Sequence, residues 1–100
     1  MITTNQNKQI KQILKLKKSA RERRKQQLFL VEGIRMFREI PGKRLYKAYA
    51  TEEFYEEHWE IFQGIVPEMV SSQVMKEISD TMTPQGVLAL VRMEETKAED

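Results

Sequence analysis

The sequence predicts a single layered α/β domain, on the basis of three observations. Short apolar segments of strand type alternate with segments whose apolar residues recur at helical spacing. Glycine, proline or serine stands at several boundaries between these segments. The 100 residues, 40% of them hydrophobic, suit one small core that buries roughly two-thirds of the surface of the unfolded chain. Strands are predicted at about 28–32, 45–50, 66–70 and 87–92, and their parallel or antiparallel pairing stays open.

The first predicted element is a basic amphipathic helix over residues 8–18. It follows a polar segment at 1–6 that we expect to be loose. Asn7 is a residue type that caps helix N-termini. Ile10, Ile13 and Leu14 recur at helical spacing, with Leu16 nearby, and so form an apolar stripe. The other positions are largely lysines, at Lys8, Lys11, Lys15, Lys17 and Lys18. We expect the stripe to dock on the domain and the lysines to remain in water.

Residues 19–27 form a charged segment without apolar periodicity, and four of the five residues at 21–25 are cations. A solvated connector is one interpretation of such a charge run. The lysine-rich helix immediately before it extends the positive patch, which favours contact with phosphates. Arginine can also bind a phosphate through two parallel hydrogen bonds, which lysine cannot do.

Residues 28–50 predict a strand, a short helix and a second strand. The apolar run around Phe29 and Val31 is strand-like, and Gly33 interrupts it. Helical spacing then resumes and ends at a Pro-Gly pair at 41–42, with the apolar stripe at Ile34, Phe37 and Ile40. A second strand is predicted at 45–50.

Residues 52–92 predict two helices, a short strand and the central strand. A helix over 52–63 carries Phe54, His58, Ile61 and Phe62 on one stripe, with glutamates opposite, and Gly64 stops it. Pro67 interrupts or begins a strand near 66–70, and Ser71 or Ser72 caps a helix that runs to residue 78. Residues 80–86 are turn-forming, and the apolar run at 87–91 suits a central strand.

Charge is unevenly distributed, although the formal net charge is only +2. Residues 1–47 hold 14 Lys/Arg and three Asp/Glu, a net charge of +11. Residues 48–100 hold three Lys/Arg and twelve Asp/Glu, a net charge of −9. Such separation produces a local positive field. The basic half is therefore the part to examine for a polyanionic partner.

Composition argues against several function classes. The absence of cysteine excludes disulfides and thiolate sites, and a single histidine argues against a multi-histidine metal site. No set of residues has the arrangement of a catalytic site, and no glycine spacing suits a phosphate-binding loop. The longest apolar run, at 87–91, is far shorter than the roughly 20 residues that span a bilayer, and residues 1–8 lack a signal-peptide segment. We expect a soluble cytoplasmic protein.

Two groups of residues resemble the motifs of a known family. The first group comprises Asn7, Ile10-Lys11, Lys15-Leu16, Arg23, Phe29-Leu30-Val31-Glu32-Gly33 and Arg35. The second comprises Ile78-Ser79-Asp80-Thr81 and Thr83-Pro84-Gln85-Gly86-Val87. In this order and spacing, over residues 7–92, the chain resembles the N-terminal substrate-binding domain of the SpoU/TrmH family of RNA 2'-O-ribose methyltransferases.

The resemblance implies a fold, a partner and a division of the chain. The fold would be a three-layer α/β/α sandwich with a mixed sheet of about four strands, like kink-turn-binding ribosomal proteins, preceded by a basic N-terminal helix. The partner would be structured RNA, usually ribosomal. Residues 1–27 would be the basic helix and arm, 28–93 the RNA substrate-binding domain, and 94–100 a charged tail or linker to a catalytic domain.

The resemblance also implies where the cofactor binds. In this family a knotted C-terminal domain binds the methyl donor, S-adenosylmethionine, and the sequence stops at Asp100 before any motif of that domain. We therefore expect a fragment that has no cofactor of its own and does not transfer methyl groups alone. The parent protein could form a homodimer through its catalytic domain. Lys8 stands where the family often has proline, and Gln27 where it often has glycine, so the local turn geometry is open.

The predicted RNA-binding residues come from the basic segment and from both motifs: Lys8, Lys11, Lys15, Lys18, Arg21, Arg23, Arg24, Lys25, Glu32, Arg35, Thr81, Thr83 and Gln85. Several have structural alternatives. Glu32 could interact with the dipole of the helix that follows it or pair with Arg35. Thr81, Thr83 and Gln85 could set the turn before the last strand. His58, Trp59 and the tyrosines are expected in the core or at its rim.

Two other functions stay open at this point. A protein-interaction or dimerisation module would pack helix 8–18 on a partner and use the acidic face of 52–60. Sedimentation with and without RNA separates it from an RNA-binding domain. A basic amphipathic helix could also lie on an anionic membrane, although this helix has no aromatic anchor.

Overall fold

The fold is built on a four-stranded mixed sheet, seen in a computed structural model that describes residues 1–94. The strands are β1 (Leu28–Glu32), β2 (Leu45–Ala50), β3 (Glu68–Met69) and β4 (Val87–Arg92), in the spatial order β1-β4-β2-β3. Strand β4 is antiparallel to both β1 and β2, whereas β3 is parallel to β2. Helices cover both faces of the sheet, which confirms the predicted α/β class and the central position of the most apolar strand.

One face of the sheet is covered by α1 (Lys8–Lys18) and α5 (Ser72–Ile78). Asn7 caps α1 as predicted, because its side chain accepts a hydrogen bond of 2.8 Å from the backbone N–H of Gln9. From the apolar stripe of α1, Ile10, Ile13 and Leu16 are fully buried in one cluster with the sheet, and Leu14 is partly buried against that cluster. The N-terminal helix therefore shares the core of the domain. Its lysines are exposed at Lys8, Lys11, Lys15 and Lys18, whereas Lys17 is half-buried.

A buried tyrosine joins α1 to the sheet. Tyr49 lies in β2 with no exposed surface, and its hydroxyl donates a hydrogen bond of 3.0 Å to the side-chain oxygen of Gln9. Burial, with a smaller contribution from the negative charge of Glu68, raises the pKa of Tyr49 to about 12. The neutral phenol is therefore the form that the fold accommodates.

The opposite face is covered by α3 (Ile34–Arg38), α4 (Glu52–His58) and a 3₁₀ turn at Trp59–Phe62. Phe37, Phe54 and Phe62 form an aromatic cluster, in which the ring centroids of Phe37 and Phe62 are 5.0 Å apart. The helix predicted over 52–63 thus has an α-helical part and a 3₁₀ part. Trp59, expected in the core or at its rim, is 62% exposed.

Residues 19–27 have no apolar periodicity, yet most of them form a helix, α2 (Ala20–Gln26). The hydroxyl of Ser19 accepts a hydrogen bond of 3.1 Å from the N–H of Glu22 and so caps this helix. No residue of α2 is buried, which explains why apolar periodicity did not reveal it. The helix ends at Gln27, whose φ of 58° and ψ of 40° lie in the left-handed region where glycine is usual.

The edge strand and the N-terminus also differ from expectation. Strand β3 is only two residues long, since Pro67 precedes it and has no N–H to give to a ladder. Ile2, predicted to lie in a loose segment, is buried beside this edge, where its N–H donates to the carbonyl of Met69 at 2.8 Å.

Ser71 caps α5, as one of the two predicted alternatives. A further 3₁₀ turn, Gly42–Arg44, precedes β2. Of the tail predicted at 94–100, all but Glu94 lies outside the described residues.

Candidate RNA-binding surface

Helices α1 and α2 together present a strongly positive surface, which we call the basic face. It consists of seven exposed cations: Lys8, Lys11, Lys15, Lys18, Arg21, Arg24 and Lys25. The four lysines of α1 are spaced three or four residues apart and so lie along one side of the helix. Within residues 1–94, the salt bridges join other pairs, Lys17 with Asp80 and Lys47 with Glu68. The cations of the basic face are therefore available to an external anion.

A groove runs between the two helices on this face. Lys8, Lys11 and Lys15 line it together with Gln12 and Gln26, and its volume is about 320 Å³. The side-chain amide of Gln12 donates a hydrogen bond of 2.8 Å to the side-chain oxygen of Gln26, which fixes the spacing of the helices. Three ammonium groups and two side-chain amides thus border the groove, and these are groups that can contact a phosphate backbone.

The single acid of the two helices reports the same positive field. A hydrogen bond from Gln26 lowers the pKa of Glu22, and the charges of Lys25, Lys15 and Arg21 lower it further. Lys15 belongs to α1, whereas Arg21 and Lys25 belong to α2. The cations of both helices therefore act at one place, so the two helices form one electrostatic surface.

Arg23 differs from the other predicted cations because it has a defined contact inside the domain. Its Nη1 donates hydrogen bonds to the last-turn carbonyls of α1, to Leu16 at 2.6 Å and to Lys17 at 3.2 Å. The guanidinium thereby satisfies the free carbonyl groups at a helix C-terminus. Arg23 stabilises the α1–α2 corner, and a contact of this residue with RNA stays a prediction.

The two sequence motifs meet at a junction between the end of β1 and the loop 79–86. The carboxylate of Glu32 accepts a hydrogen bond from the hydroxyl of Ser79 and another, of 3.0 Å, from the N–H of Asp80. From α1, Lys17 pairs with Asp80 at 3.0 Å and donates to the carbonyl of Ser79 at 3.2 Å. Neither structural alternative considered for Glu32 describes this contact, because the carboxylate holds the loop and makes no salt bridge with Arg35 within residues 1–94.

Gln85 holds the other end of the loop. Its side-chain oxygen accepts a hydrogen bond of 2.8 Å from the N–H of Ile34, at the start of α3. Gly33 has a φ of 94°, and a Cβ at this position would lie 3.0 Å from that same oxygen. The positive φ therefore favours glycine at this position, and any larger residue would also displace the side chain of Gln85.

The remaining predicted residues lie exposed around this junction. Thr81 and Thr83 line a cleft of about 390 Å³ together with Glu32 and Gln85. The hydroxyl of Thr81 accepts a hydrogen bond of 3.3 Å from the N–H of Thr83, which fits the turn-setting alternative. Arg35 is exposed on α3. The fold thus brings the part of the first motif around Glu32 and Gly33 together with the second motif. Lys11 and Lys15 of the first motif lie instead on the basic face.

A protein-family model described as the MRM3-like substrate binding domain matches residues 7–89. The chain belongs to this family. The match covers the basic face, the junction and three of the four strands in full. It confirms the family that the two motifs predict. A comparison with curated protein sequences gave no match.

The MRM3-like substrate binding domain is also similar to solved structures. The crystal structure of an RNA 2'-O ribose methyltransferase has 29% sequence identity and a TM-score of 0.76, over 99% of this chain and 40% of that one. An rRNA methyltransferase from Sinorhizobium meliloti has 17% identity and a TM-score of 0.71, over 95% of this chain and 37% of that one. Its AdoMet-bound form has a TM-score of 0.70. The Sinorhizobium proteins show the fold alone, and this chain spans about two-fifths of each relative.

Sequence reasoning missed three contributors to the surface of this MRM3-like domain. Lys17 was placed among the outward lysines, but it joins α1 to the loop at Asp80. Gln12 and Gln26 carry no charge and belong to no recognised motif, yet they line the groove and hydrogen-bond to each other across it.

In the described part of the chain, no group of His, Cys, Asp and Glu residues could hold a metal ion. The helices within residues 1–94 are all too short or too polar to cross a membrane.

Proposed function

We propose that this domain binds structured ribosomal RNA as the substrate-binding part of an RNA 2'-O-ribose methyltransferase. The observation that carries the proposal is the basic face, where seven exposed cations on two packed helices form no salt bridge within residues 1–94. The fold and the named relatives support the assignment to a methyltransferase, since one relative is described as an RNA 2'-O ribose methyltransferase and the other as an rRNA methyltransferase.

We propose that the basic face supplies contacts with phosphates and that the junction contributes to the recognition of RNA shape. Double-stranded RNA is recognised mainly through its backbone and 2'-hydroxyl groups, which suits a face of long, flexible cations. The cleft beside Glu32 offers short polar side chains, Thr81 and Thr83, of a kind that can contact a ribose or phosphate. The cytoplasm is the proposed site of action.

We also propose S-adenosylmethionine as the methyl donor of the whole protein, supported by the AdoMet-bound relative. The cleft at the junction does not fit the donor, because its lining residues are polar or glycine and include none of the apolar and aromatic side chains that small-molecule sites usually have. Donor binding is therefore proposed for another part of the protein, and no catalytic step is derived from residues 1–94.

The test is the salt dependence of binding to a fluorescently labelled hairpin RNA. Each phosphate that the protein neutralises contributes about 0.7 to 0.9 to the slope of log affinity against log salt concentration. If Lys11 and Lys15 each neutralise one phosphate, the double variant Lys11→Gln/Lys15→Gln should lower that slope by about 1.4 to 1.8. The matched control Arg38→Gln/Lys76→Gln removes the same charge from exposed positions outside the basic face. Equal slopes in the two variants would show that α1 is not the RNA-binding surface.

A further inference from the structure

Strand β2 contains a bulge at Tyr46. Leu45 is paired with Val91 of β4 and Lys47 with Leu90, so that Tyr46 is the extra residue between two paired positions. A β-bulge bends its strand and redirects the side chain of the extra residue. Tyr46 is 48% exposed, although its neighbours farther along the strand are buried in the core. The sheet thus presents an aromatic ring to solvent at the end of a central strand pair.

The ring of Tyr46 is held by an arginine. The guanidinium carbon of Arg92, the last residue of β4, lies 5.4 Å from the centroid of the ring, within cation–π range. Arg92 also donates a hydrogen bond of 3.4 Å to the carbonyl of Lys43. The guanidinium of Arg44 in turn donates two bonds to the carbonyl of Arg92, at 3.0 and 2.7 Å. Arg44 thus holds the backbone of Arg92, and the carbonyl of Lys43 holds its guanidinium beside the ring of Tyr46.

This pair lies beside the groove of the basic face. Tyr46 and Arg92 line a cleft of about 490 Å³, and Gln12 and Gln26 line it too. The same two glutamines also line the groove of the basic face, together with Lys8, Lys11 and Lys15. The two clefts therefore share a border, with positive charge in one and a half-exposed aromatic ring in the other.

We propose that Tyr46 and Arg92 form a stacking platform for one unpaired nucleobase of the RNA whose backbone lies on the basic face. Bases that leave an RNA helix commonly stack on aromatic rings or on guanidinium planes, and here both groups already lie together. The adjacent lysines would bind the flanking phosphates. By contrast, Trp59 is more exposed but follows Glu56 and Glu57, where a phosphate backbone would be repelled. The inference rests on the proposed function and deepens it, because it assigns the domain a preference for RNA with an unpaired base.

The experiment is a double-mutant cycle between protein and RNA. One hairpin RNA carries a single bulged adenosine, and a second is identical except that the bulged nucleotide is abasic. Tyr46→Leu should weaken binding of the first hairpin by about 5- to 160-fold, the range found for stacked bases by alanine substitution, and should hardly change binding of the second. Tyr46→Phe retains the ring and should bind both hairpins like the wild type. Trp59→Leu is the control for loss of an exposed aromatic residue.

Two readouts separate stacking from a purely structural role. The salt slope should be unchanged in Tyr46→Leu, because no phosphate contact is lost, whereas Lys11→Gln/Lys15→Gln should lower it. If Tyr46→Leu loses the same affinity for the bulged and the abasic hairpins, the stacking proposal is overturned. This holds whether or not thermal melting shows that the variant is less stable. If the wild type binds a hairpin with the expected salt slope and Tyr46→Leu has no effect, only the stacking inference fails. If the wild type binds neither hairpin, both the inference and the proposed function fail.

Discussion

The junction at Glu32 allows a sharp test of whether a motif residue is structural. Glu32→Ala removes the acceptor for the hydroxyl of Ser79 and for the N–H of Asp80. Hydrogen bonds to a charged group contribute roughly 1.5 to 3 kcal/mol each, and water can replace part of this because Asp80 is exposed. We expect the free energy of unfolding to fall by about 2 to 4 kcal/mol, a large part of the roughly 5 to 15 kcal/mol of a small domain.

The assay is urea unfolding monitored by circular dichroism, with Glu56→Ala as the matched control. Glu56 is exposed on α4, and its loss should change stability by no more than about 0.5 kcal/mol. A double-mutant cycle of Glu32→Ala with Ser79→Ala should show a coupling energy of about 1 kcal/mol or more, since the two side chains share one hydrogen bond. The reasoning would be refuted if Glu32→Ala were as stable as Glu56→Ala but lost affinity for RNA.

Three further predictions concern the packing of the first two helices. The phenol of Tyr49 has a pKa near 10 in the unfolded chain and about 12 in the folded one, so its contribution to stability should be full below about pH 10. That contribution should fall by roughly 2 to 3 kcal/mol as the pH rises through 12. Tyr49→Phe should remove this decline in a denaturation series at increasing pH, and identical profiles would contradict the burial argument. Arg23→Met should lower the free energy of unfolding by about 1 to 2 kcal/mol, because carbonyls of α1 lose their donor; unchanged thermal melting would show that this contact is dispensable. Gln27→Gly should stabilise the domain by up to about 1 kcal/mol by relieving the left-handed backbone, and a lower melting temperature would contradict that explanation.

The strands and the first helix could be predicted because their signals are local. The spacing of Ile10 and Ile13 defines the buried side of α1. The unbroken apolar run of β4 requires cover on both faces, which it has. Asn7 and Ser71 are residue types that cap helices, and both do so here. Each of these features depends on a few neighbouring residues, so one sequence is enough to show it.

The remaining features depend on contacts between distant residues. Helix α2 has no buried side, and its stability comes from the cap at Ser19 and from Arg23, which reaches back to α1. The contact of Glu32 with Ser79 joins residues 47 positions apart. The bulge at Tyr46 depends on how β2 pairs with β4. The alternation of apolar and polar residues along one strand cannot predict it.

Part of the candidate surface could also be predicted from local signals. The cations of the basic face could be predicted from charge alone, because lysines and arginines clustered along two neighbouring segments create a local positive field. Their arrangement around one groove required the turn at Ser19, which sets α2 against α1 through Gln12 and Gln26. The cleft beside Tyr46 could not be foreseen, because its residues come from two helices and three strands.

The most direct test of the central claim is an NMR titration of the domain with hairpin RNA, followed through the backbone amide signals. If the basic face binds RNA, the largest chemical-shift changes should occur in α1 and α2, with smaller changes at the loop 79–86. The acidic surface of α4 and the turn at Trp59–Phe62 should be almost unaffected. Changes centred on α4 and that turn, with α1 and α2 unchanged, would contradict the account.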